Sequence, residues 1–135
     1  MQSVPATILS AAVTVLAVMI LMYVMLLVGG TRNRVKILTP AMGGHPDLER
    51  ALRVQGNTNE QALIFLPLLW VATLTFHGWI PAAVGLVWCL GRVMYAIAYM
   101  KDPAKRGPGF GISALASLVL LVLSIWGVAA SWIAT

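Results

Sequence analysis

Along this chain the apolar residues come in long unbroken runs, not in the short alternation of strands or the narrow stripe of a water-facing helix. Residues 4–28 carry no charge, and their 25 positions reach about 37 Å as a helix, enough for a hydrocarbon core of about 30 Å. A second run, 61–76, extends backwards into a polar stem that starts near Asp47. Residues 80–99 are broken only by Arg92, and 109–132 are again uncharged. Between the runs lie 29–46, 77–81 and 101–108, each rich in Gly, Pro or charge, the residues that end helices. The pattern predicts helices over 4–28, 47–76, 80–101 and 109–132. The expected architecture is all-α: one integral membrane domain, a four-helix bundle over 1–135. The first run has no basic residue before it and exceeds the apolar length of a signal peptide, so it reads as a retained helix.

Composition agrees with this solvent. Of 135 residues, 60% are hydrophobic and 10% charged, against about a quarter charged in soluble domains. The net charge of +5 invites a nucleic-acid reading. Eight of the nine basic residues, however, border the apolar runs, which is the arrangement of membrane topology. Arg32, Arg34, Lys36, Arg50 and Arg53 surround the first connection; Lys101, Lys105 and Arg106 occupy the third; the second connection and both ends have none. The positive-inside rule places the first and third connections in the cytoplasm and both chain ends outside, where Trp79 and Trp132 meet the opposite interface. A lone cysteine, Cys89, permits no internal disulfide and reads as a helix-packing residue; no Cys/His spacing suggests a metal. His45 reads as a turn residue, His77 as a headgroup contact, and Ser113 and Ser117 as close-packing positions.

Ionisable groups at membrane depth are where function concentrates. At 100° per residue, Arg50, Arg53, Asn57 and Glu60 share a sector of about 80° on the second helix, and Arg92, Tyr95 and Tyr99 one of about 60° on the third. Counted from the connection between these helices, Glu60 and Arg92 lie at depths of about 24 and 20 Å. A Glu60–Arg92 ion pair is therefore expected, since pairing lowers the cost of burying both. Stability alone asks for fewer donors than this. The cytoplasmic half reads as a positively charged pocket for an anionic, peptide-like ligand, with Arg forks for carboxylates. Gln55 points about 160° away, towards headgroups or a neighbouring subunit.

The run Glu49-Arg50-Ala51-Leu52-Arg53-Val54-Gln55-Gly56-Asn57-Thr58-Asn59-Glu60 resembles the E-R-x-x-R-x-Q-x-N-x-x-E signature of the MAPEG family, membrane-associated proteins of eicosanoid and glutathione metabolism. Arg92, Tyr95 and Tyr99, then Arg106, and Arg32 at the end of the first run match the same family, and a bacterial member in the inner membrane is the expected setting. One departure is Gln61, where several eukaryotic members have Tyr. The resemblance implies a homotrimer with glutathione bound between subunits. Arg53, Asn57, Glu60, Tyr95 and Tyr99 are expected to line the site from one subunit, with Arg32, Gln55 and Arg106 approaching from the next. Arg106 takes the role of the arginine that stabilises the glutathione thiolate, because a fixed cation lowers a thiol's pKa. The expected activity is glutathione transfer to a hydrophobic electrophile, or reduction of a lipid hydroperoxide, without metal or nucleic acid. The rival reading is a non-catalytic scaffold holding a lipid-like ligand, which needs no thiolate-stabilising cation. A small proton-coupled exporter is excluded, because residues 4–28 contain no acid.

Overall fold

The computed structural model describes residues 5–135 and contains four long helices: α1 (Ala6–Val35), α2 (Pro46–Phe76), α3 (Ile80–Lys101) and α4 (Gly107–Ile133), with a 3-10 turn at Pro103–Lys105. All four are long and apolar enough to cross a membrane. The protein is an all-α integral membrane bundle. The α1–α2 and α3–α4 connections share one end, called here the basic end.

α1 runs seven residues beyond its expected end at 28, and its expected start at 4 lies outside the described residues. Gly29 and Gly30, which the sequence places in the first connection, both sit in helix with open space where a Cβ would be. Arg32 and Arg34 in the last turn suit the negative end of the helix dipole. The helix stops at Lys36, which adopts the left-handed conformation (φ 58°) and sends its N–H back to the Arg32 carbonyl. α2 starts on Pro46, whose missing N–H costs nothing at the first position. There His45 Nδ1 accepts from the Asp47 N–H at 3.0 Å, so the expected turn histidine is a helix cap. Arg34 bonds Asp47 at 2.7 Å, an exposed pair that ties the two helix ends but contributes little stability.

Without a hydrophobic force between helices in lipid, close packing and interhelical hydrogen bonds hold the bundle. Phe65 of α2 and Trp88 of α3 stack at 4.0 Å between ring centroids. α3 and α4 approach through glycine. A Cβ at Gly91 would lie 2.8 Å from the Ser113 nitrogen, and one at Gly109 2.8 Å from the Tyr95 Cα. Towards the opposite end, the Ser10 and Thr73 hydroxyls bond across α1 and α2 at 2.6 Å. Ser10→Ala is expected to cost only about 0.6 kcal/mol, the usual scale of such bonds in membranes. Thermal unfolding in detergent checks this; a loss several times larger would make the bond a principal clamp of the bundle.

Candidate functional site

The polar sectors of α2 and α3 meet at the basic end and enclose a cavity of about 600 Å3. Arg53 and Asn57 come from α2, Tyr95 and Tyr99 from α3, and Arg106 from the start of α4. Gly107 and Phe110 complete the wall. Among the described residues, the cavity thus holds two guanidinium groups, one amide and two phenols, and no carboxylate. Such a lining suits an anion that also offers hydrogen-bond acceptors.

Local structure explains each placement. Asn57 lies one turn beyond Arg53 on the same face of α2, and Tyr99 one turn beyond Tyr95 on α3. The two tyrosine rings sit 5.5 Å apart, and Tyr95 tilts against Phe110 at 6.4 Å. Arg106, expected to approach from a neighbouring subunit, also lines the cavity of its own chain together with Tyr99. The reason is the tight connection. Asp102 accepts from the Ala104 N–H at 3.0 Å, the 3-10 turn reverses the chain, and Arg106 Nη1 donates to the Pro103 carbonyl at 3.2 Å.

The expected Glu60–Arg92 ion pair is not formed. Arg92 is fully buried, and its Nη2 donates to Asn57 Oδ1 at 2.8 Å and Thr58 Oγ1 at 2.9 Å, while Nη1 donates to Ser113 Oγ at 3.2 Å. Its Cζ stands 4.1 Å from the Tyr95 ring centroid. Glu60 is exposed on the bundle surface. Equal depth fixes only height along the helices. The Asn57–Thr58 edge of α2 faces Arg92, and Glu60 is turned roughly 110° away from it. Thr58 lies outside the polar sector that the sequence defines on α2, and from sequence Ser113 is a packing residue only. Both were missed because a hydroxyl on an apolar helix has the same sequence signature in either role.

Arg32 and Gln55, expected to act from a neighbouring subunit, lie outside the cavity of their own chain, as does Arg50 of the α2 polar sector. Arg32 Nη1 bonds the carbonyls of Ala41 (2.7 Å) and Ile37 (3.4 Å), holding the α1–α2 connection. Arg50 Nη1 donates to the Met100 and Lys101 carbonyls at 3.3 and 3.5 Å, capping α3. Gln55 is half-buried and outside the cavity.

Four helices long and apolar enough to cross a membrane, with an arginine- and tyrosine-lined cavity at the basic end, define a class: small integral membrane proteins with a polar site at one end of a helical bundle. This chain belongs to the MAPEG family, whose family model matches residues 10–126. It is similar to an uncharacterized protein of Synechocystis sp., 41% identical over 112 residues, covering 83% of this chain and 82% of that protein. Human microsomal glutathione S-transferase 2 is 35% identical over 127 residues, covering 94% and 86%. Leukotriene C4 synthase of Bos taurus is 34% identical over 125 residues, covering 93% and 83%.

Proposed function

We propose that this protein is a membrane-bound glutathione transferase. The observation that carries the reading is the convergence of Arg53, Asn57, Tyr95, Tyr99 and Arg106 on one cavity. The names of the human and bovine relatives support the same chemistry. Glutathione offers two carboxylates and two peptide carbonyls, which match the donors in the wall. Arg53 takes a carboxylate by its fork, and Asn57 and the tyrosine hydroxyls bond the peptide groups. Arg106 stands beside the thiol and favours loss of its proton to solvent. The thiolate then attacks a hydrophobic electrophile arriving from the bilayer, forming a sulfur–carbon bond as the leaving group departs or an epoxide opens. With a lipid hydroperoxide, two glutathione molecules become the disulfide while the hydroperoxide becomes alcohol and water.

Assembly as a homotrimer belongs to this reading, with Arg32, Gln55 and Glu60 brought towards the site at the subunit boundary. Asn59 and Glu60 support it, because they are exposed on a spanning helix where polar groups seek cover. The basic end faces the cytoplasm of a bacterial inner membrane, and both chain ends lie outside. Trp79 and Trp132, exposed at the far end, suit that interface.

Titrating glutathione into the purified protein in detergent tests the function. A new ultraviolet thiolate absorbance is expected. Binding without that absorbance would favour the non-catalytic scaffold, and no binding would overturn the reading altogether. Arg53→Ala is expected to weaken glutathione binding by about 1.5–3 kcal/mol, the scale of a hydrogen bond to a charged group. Unchanged affinity by calorimetry in a folded variant would remove Arg53 from the site.

A further inference from the structure

Behind the cavity wall, Arg92 draws three helices together through groups that themselves form the wall. A guanidinium carries donors and no acceptor, so the Asn57 atom facing it must be the carbonyl oxygen. The opposite rotation would set the amide NH2 against N–H at a buried site, two donors without an acceptor between them. Asn57 is only 8% exposed, yet it also lines the cavity. With its oxygen held by Arg92, the NH2 group is what remains for the cavity. The same guanidinium packs on the Tyr95 ring, the α3 wall. It also reaches α4 through Ser113, which donates in turn to the carbonyl of Gly109 (3.1 Å) or Phe110 (3.0 Å).

We propose that Arg92 is a positioning residue that fixes Asn57 as a hydrogen-bond donor to the cavity, so that the site selects a ligand presenting an acceptor, a peptide carbonyl or a carboxylate, at that point. The choice of glutathione as that ligand rests on the function proposed above. Arg92 does not touch the ligand. It acts by withdrawing one of the two faces that an amide could offer, and a neutral amide with free rotation would have no such preference.

Asn57→Asp separates this role from simple support. The variant keeps the size of the side chain and the oxygen facing Arg92, and it replaces the donor by an acceptor. Its unfolding temperature in detergent is expected to rise, because Arg92 gains a counter-ion at membrane depth. Glutathione affinity by calorimetry is expected to fall by about tenfold or more, as the lost donor leaves a ligand acceptor facing a carboxylate. Affinity equal to wild type means that the ligand takes no hydrogen bond from an Asn57 donor, and the proposal fails. Arg92→Lys keeps the charge and loses the fork. It should weaken glutathione binding in the wild-type background and change nothing further in the Asn57→Ala background. Equal losses in both backgrounds mean that Arg92 does not act through Asn57, which overturns the proposal. Should wild type bind no glutathione, the functional reading falls, and the melting of Asn57→Asp decides the positioning alone. A gain in unfolding temperature that disappears on adding Arg92→Gln supports the Arg92–Asn57 oxygen contact, whereas no gain overturns it.

Discussion

Gly109→Ala is expected to destabilise the bundle by about 3 kcal/mol, at the upper end of what overpacking costs. The added Cβ would press on the Tyr95 backbone nitrogen, lie 2.8 Å from the Tyr95 Cα and 2.9 Å from the Gly91 carbonyl oxygen. All of these are backbone atoms, so no rotamer change relieves the contact and α3 must move away from α4. The shift would carry Tyr95 out of the cavity wall and Arg92 away from Ser113, and glutathione affinity should fall with stability. Gly111 is the control on the same helix, since nothing lies within 4 Å of its Cβ position. Gly111→Ala should melt like wild type or slightly above, alanine being the better helix former. Coincident melting curves for the two variants in detergent would show that α3 and α4 do not meet at Gly109.

Arg106→Ala should leave glutathione bound and remove most of the turnover, by about 10²-fold, the scale of losing one charge-stabilising group. A cation beside the thiol favours the thiolate, so its removal raises the bound thiol's pKa. Activity requires the deprotonated form. The rising limb of the pH–rate profile should therefore move to higher pH, with part of the lost rate recovered in alkaline solution. Arg106→Lys should restore part of the activity, because the charge remains while the planar fork is lost. Arg106 lines the cavity but is exposed, and it bonds only a carbonyl of its own turn, so its removal should leave the melting temperature unchanged. A stopped-flow pH series on wild type and both variants checks the set. Coincident profiles would falsify the thiolate role and leave Arg106 as an anchor of membrane orientation.

The sequence alone was enough for the membrane class, four helices, the sharing of one face by Arg53 and Asn57, and the sharing of another by Tyr95 and Tyr99. These properties are local: hydropathy is summed along a run, and position around one helix follows from 100° per residue. Tertiary structure decided how each helix is rotated against its neighbours. Gly91 and Gly109 let α3 and α4 approach to backbone contact, and that approach turns Arg92 towards Ser113 and the Asn57–Thr58 edge of α2. Glu60 matched Arg92 in depth and still faces outward, because equal height says nothing of azimuth between two helices. Arg106 joined the cavity of its own chain through a hydrogen-bonded turn of a few residues, whose reversal no helical period describes. α1 ran past Gly29 and Gly30 because a glycine weakens a helix by only about 1 kcal/mol and does not by itself end it, and the left-handed Lys36 closed the helix.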